Sequence, residues 1–154
     1  MTETYDIIGR VERLRDDPTS SVPSFQGVLL AALGLLESVR IAEEQASYAA
    51  ISLAQRESVL ALVAETEATV AALRSIASRP QDLPRPGQAH TAASWWYALA
   101  ESTQIIESAI DRMSYVVSGQ PKGSAVRGLV TEILKVLRGH HRLLIGEATR
   151  WIDG

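Results

Sequence analysis

Two histidines stand side by side at His140 and His141, near the end of a chain of 154 residues. Neighbours on a helix are turned about 100° from one another, so this pair cannot grip one ion as residues at i and i+4 do. His140 falls in line with Leu137 and Leu144, and His141 lies one turn from Leu137, Leu144 and Ile145. A histidine within an apolar stripe reads first as a hydrogen-bonded core or boundary residue. Ligand contact or proton transfer comes second, and metal ligation third.

The carboxylates give no firmer lead. Glu107 and Asp111 are one helical turn apart, and Glu43, Glu44, Glu65 and Glu67 stand on an earlier segment, with Arg40 and Arg112 nearby in sequence. They read as solvated faces carrying local ion pairs. A di-metal bundle needs inward glutamates with Glu-x-x-His on two helices, a spacing that occurs nowhere here. With no cysteine there is neither a thiolate ligand nor a disulfide. The Gly-x-Ser-x-Gly elbow, the Gly-x-x-x-x-Gly-Lys phosphate loop and the Gly-x-Gly-x-x-Gly turn are all missing. The expectation is therefore no bound metal, no cofactor and no covalent catalysis.

Three other groups of residues rise above this background. Trp95, Trp96 and Tyr97 are consecutive and on a helix fan across about 200°, whereas a bundle's apolar face is only somewhat over 100° wide. Trp95 belongs to the buried stripe, while Trp96 and Tyr97 fall towards its edges, where such residues favour interfaces and ligand walls. Ser102 and Thr103 interrupt the same stripe, and hydroxyls inside a core need a backbone carbonyl, a water or a ligand. Lys135, Arg138 and Arg142 form a basic ridge. It is either a solvated face or a site for an anion or acidic partner, and one short ridge neutralises too few phosphates for duplex nucleic acid.

The elements that must position these residues are helical. Between Pro23 and Pro80 there is no proline, and apolar or small residues recur at Ala32, Leu35, Val39, Ala42, Ala46, Ala49 and Leu53, then at Leu60, Val63, Val70, Leu73 and Ala77. Glu37, Arg40, Glu44, Ser47, Gln55 and Ser58 fall on other faces. The leading expectation is one long helix over 25–78, a rod of roughly 75–80 Å. The alternative is a break near Gln45 to Tyr48 or near Arg56-Glu57. The small side chains Ala42, Ala46 and Ala49 predict a close helix approach and, for a rod uncovered by its own chain, a dimer interface.

Ahead of this segment a short helix carries Ile7, Ile8, Val11 and Leu14 on one side, with Thr4 as its cap, and ends at Asp16-Asp17-Pro18. Ser24 is placed to cap the long element. The prolines of 79–87 predict a reversal of chain direction. A third tall helix is expected from Gln88 or Thr91 to Val117, and a last one from Ser124 to Trp151 or Ile152. The fold class predicted is all-α: an antiparallel bundle of about four helices, one of them possibly very long, plus the short N-terminal helix, in a single domain over 1–154.

Net charge is −3, but six Lys/Arg against three Asp/Glu after Ser118 leave −6 for the rest of the chain. These opposite charges complement one another within a fold or between two copies, and the total speaks against nucleic-acid binding. The charged start lacks a secretory signal's apolar core, and the most apolar run, 28–36, is far below the ~20 residues that span a bilayer. A cytoplasmic protein is expected, with no membrane partner. Alanine and arginine usage points to a high-GC, bacterial genome.

The functional expectation is a non-catalytic interaction or assembly protein, most simply a homodimer, working through the Ala42/Ala46/Ala49 face or the Trp96/Tyr97 edge. The alternative is a small-molecule-binding or enzymatic bundle with an interior pocket at Trp95, Ser102, Thr103, His140 and His141.

Overall fold

The computed structural model describes residues 2–78 and 94–153 and is all-α. Five helices succeed one another: α1 (Thr2–Arg15), α2 (Pro23–Ala49), α3 (Leu53–Arg74), α4 (Trp95–Ser118) and α5 (Ala125–Asp153), with a 3₁₀ turn at Pro18–Ser21 between the first two. There is no strand among the described residues.

The single long helix is not formed. Ala50 and Ser52 take extended backbone angles between α2 and α3, and the chain folds back there. What stops the helix is a capping box. The Ser52 hydroxyl accepts from the Gln55 amide at 3.1 Å, and the Gln55 side-chain oxygen accepts from the amides of Ser52 (3.1 Å) and Ile51 (2.9 Å). The break lies between the two places where charge and polarity suggested one. The apolar stripe that a rod would have left bare is covered by its own chain.

That covering accounts for the small residues. Ala42 and Ala46 are buried, and Ser102 of α4 reaches the Ala42 carbonyl at 3.0 Å across the helix crossing. The close approach predicted from alanines exists, but it joins α2 to α4 within one molecule. Ala42 and Ala46 offer no surface to a second copy. Ala49 packs against the same core.

Side-chain contacts fix the direction of each helix. Gln26 near the start of α2 bonds the Ile76 carbonyl and the Ser78 amide just beyond α3, so α2 and α3 are antiparallel. Ser102 near the start of α4 meets Ala42 late in α2, and His141 of α5 meets Glu107 of α4. Helices α3 and α4 therefore run the same way, and no reversal separates them. Residues 79–93 lie outside the described residues, and with them the expected helical start at Gln88 or Thr91 and the proline turn. Helix α4 begins at Trp95, where the Ser94 hydroxyl accepts from the Tyr97 amide.

Short connections and caps complete the frame. Ser124 caps α5 as expected, accepting from the Arg127 amide at 3.2 Å, after Gly123 takes φ of +79°, a backbone position that suits glycine. Pro23 opens α2 at its first position, so Ser24 is inside the helix and not its cap. Helix α1 starts at Thr2, ahead of the expected cap at Thr4, and lies across α3 and α5 with Ile7, Val11 and Leu14 buried. One apolar cluster draws on all five helices. By length and composition α2 is long and apolar enough to cross a membrane, which the nine-residue run alone did not suggest; in the bundle, 50% of that stretch is buried, as in a core helix.

Candidate functional site

Three stripes of alternating three- and four-residue spacing meet near the middle of the bundle, and each carries polar residues: one on α2, two on α3 and one on α5. Leu36, Val39, Glu43 and Ala46 form that of α2; Val59, Leu62, Thr66, Thr69 and Leu73 that of α3; Val130, Ile133, Leu137, His140 and Leu144 that of α5. Glu43 is 0% and His140 2% exposed, so the polar members cannot be solvated and must satisfy one another.

They do so closely. His140 Nδ1 lies 2.6 Å from Glu43 Oε2, the other oxygen of that carboxylate accepts from the Thr66 hydroxyl at 2.6 Å, and His140 Nε2 lies 3.4 Å from Glu65 Oε1. The last distance is an ion-pair contact, longer than a charge-assisted hydrogen bond of about 2.7–2.9 Å, and Nε2 has no hydrogen-bond partner of good geometry. Burial pushes the imidazole's pKa down, but bonding to Glu43 and then to Glu65 outweighs it and raises the pKa to about 9. At neutral pH His140 is an imidazolium between two carboxylates. It holds its proton too firmly to act as a general base near pH 7.

The arrangement does not gather metal ligands. The two ring nitrogens face apart, so Glu43 and Glu65 stand at opposite ends of the imidazole, and no three His, Asp or Glu side chains among the described residues form a group that could hold an ion. Reading Glu43 and Glu65 as solvated is corrected: the first is enclosed and the second nearly so. Glu37 and Ser47, also assigned to water, are buried. Leu60, assigned to the stripe, is largely exposed.

The five residues expected to share an interior pocket are dispersed. Trp95 is buried with its indole N–H unpartnered. Ser102 bonds Ala42 and Ala98 carbonyls, and Thr103 bonds the Leu99 carbonyl one turn back. His140 turns to α2 and α3, whereas His141 pairs with Glu107 at 2.9 Å near the surface. Of the five, His140 alone lines the cleft between α3 and α5.

His140 does border an opening. Between α3 and α5 runs a cleft of about 420 Å³, lined by Ser58, Ala61, Leu62 and Glu65 on one side and Lys135, Val136, Gly139, His140, Arg142 and Leu143 on the other. Two members of the basic ridge edge it, and Arg138 lies exposed beyond. Lys135 contacts Glu132 at 3.1 Å, an acid shared with Arg10 at 3.6 Å.

Trp96 and Tyr97 are exposed, as the aromatic fan required, and they have company. Of ten large apolar residues exposed among the described residues, eight lie in the half of the bundle that holds the α2–α3 turn: Tyr48, Ile51, Leu53 and Leu60 about that turn, Trp96 and Tyr97 at the start of α4, and Leu143 and Ile145 in the second half of α5. Nothing in the spacing could gather them, because that half is built from three separate stretches of sequence. The chain matches no protein-family model, no curated protein and no solved structure.

Proposed function

We propose that this protein is a non-catalytic assembly module of the cytoplasm, and that it works as a homodimer joined through the apolar end of its bundle. The observation that carries the reading is the concentration of eight exposed apolar side chains in that half, with Ile51 at 68% and Leu53 at 71% exposure. Exposed apolar residues concentrated in one region mark interaction sites, and a two-fold contact uses one such region twice. Against catalysis stands the polar interior, whose histidine is fixed between carboxylates and keeps its proton at neutral pH.

Light scattering tests this. Wild-type protein at micromolar concentration is expected at twice the chain mass, and Trp96→Ala should weaken the dimer by about 2 kcal/mol or more, as truncation of interface tryptophans does. Ile51→Asp should yield folded monomer, while Val22→Asp, at the opposite end, should leave the dimer intact. A wild-type monomer, or loss of the dimer through Val22→Asp alone, overturns the reading.

A further inference from the structure

The turn between α2 and α3 carries both a projection and a recess. Ile51 and Leu53 stand on either side of the cap residue Ser52 and are the most exposed large aliphatic side chains among the described residues. Below this tip lies a hollow of about 400 Å³, lined by Ser47 and Tyr48 of α2 and by Arg56 and Leu60 of α3. Both are held in place without a partner. The Gln55 side-chain oxygen accepts from the amides of Ile51 at 2.9 Å and Ser52 at 3.1 Å, which fixes the backbone that presents the tip. At the wall of the hollow the Tyr48 hydroxyl donates to Glu44 at 2.8 Å, and Arg40 holds the other oxygen of that carboxylate at 2.5 Å. An apolar side chain on a fixed backbone loses little freedom when it is covered, so such preorganisation favours association.

Charge points to the occupant. Arg56 in the hollow and Glu57 beside it in sequence are exposed and opposite in sign, and neither side chain is in an ion pair among the described residues. In a two-fold contact residue i of one copy meets residue j of the other and j meets i, so a second copy can offer a Glu57 to each Arg56. A surface that carries a projection, a recess and an unpaired couple of opposite charges within one turn complements itself. Were projection and recess at opposite ends of the molecule, head-to-tail insertion would propagate into a filament instead of closing.

We propose that the Ile51–Leu53 tip of each copy seats in the Ser47/Tyr48/Arg56/Leu60 hollow of a second copy, with Arg56 of each paired to Glu57 of the other across the two-fold axis. This register rests on the homodimer proposed above and adds to it which residues meet. The two turns overlap instead of abutting tip to tip, because Leu60 lies roughly 10 Å of helix axis beyond Leu53. Charge pairs placed in this way fix register and reject wrong arrangements more than they add affinity.

The chain has no cysteine, so single introduced thiols report which residues meet. Ile51→Cys and Leu60→Cys proteins, each checked for folding by circular dichroism, are mixed at high dilution, concentrated and oxidised mildly with copper phenanthroline. Disulfides linking position 51 to position 60 should outnumber 51–51 links by at least about fivefold, because the bond forms only where Cα atoms come within about 7 Å. A second arm needs no cross-link. Arg56→Glu or Glu57→Arg alone sets like charges against each other across the axis and should raise the dimer Kd at least about tenfold, whereas the double variant should return to within about threefold of the wild type. In a protein that is dimeric by light scattering, predominant 51–51 links, no 51–60 links, or a double variant as weak as the single ones overturns the tip-in-hollow register and leaves the homodimer standing. A wild-type monomer with no cross-link in any mixture overturns both.

Discussion

His140 gains its meaning from where its two nitrogens point. A buried carboxylate such as Glu43 is costly unless a cation and hydrogen bonds answer it, and the imidazolium and the Thr66 hydroxyl supply both. Replacing His140 by Leu strands that charge, and chemical denaturation at pH 7 should show a loss of about 3–5 kcal/mol. The pH dependence has a definite sign. The folded-state pKa of about 9 lies above the ordinary 6.5, so between these values the folded state holds a proton that the unfolded chain has released. The stabilisation is complete below pH 6.5 and disappears as pH rises through about 9. Denaturation midpoints of the wild type should fall across that window, and those of His140→Leu should not. A flat wild-type profile would mean that His140 is neutral in the fold.

At the scale of elements, the turn between α2 and α3 offers a test whose direction is informative. Were 25–78 one helix, Ser52→Ala would favour it slightly, because alanine is the better helix former by less than about 0.7 kcal/mol. With Ser52 as the N-cap of α3, the same change should destabilise by about 1 kcal/mol in thermal or urea unfolding. The Ser52-Leu53-Ala54-Gln55 spacing is a capping box legible in the sequence, within a segment that has no proline or glycine to mark a break. Helical periodicity made the all-α class, the α1 stripe and the Ser124 cap readable, since each depends on local spacing. The polar cluster was not readable for the opposite reason: Glu43, Thr66 and His140 stand on three separate, largely apolar stripes, and only the packing of three helices shows that they answer one another. Likewise, no local pattern tells that Ala42 faces Ser102 and not another molecule. The parallel course of α3 and α4 differs from the reversal that the prolines of 79–87 predict, because prolines exclude regular helix without fixing the direction of the helix that follows.

For the molecule as a whole, the distribution of exposed apolar side chains carries the functional reading, and it makes the two ends of the bundle unequal. One end gathers Ile51, Leu53, Trp96 and Tyr97, while Val22 marks the other, beyond the 27 residues of α2 that separate the two. The acidic balance of the first 118 residues against the basic last segment belongs to the same scale. It places positive charge on α5, where Lys135 and Arg142 line the cleft against α3. Self-assembly through the apolar end is the central claim, and the lack of cysteine makes it directly measurable, because a single introduced thiol takes a single spin label. Pulsed electron-resonance distances between subunits, measured with the label at Ile51→Cys and separately at Val22→Cys, should be short for the first site and far longer for the second. Absence of dipolar coupling at both sites, or a shorter distance at Val22 than at Ile51, would contradict the account.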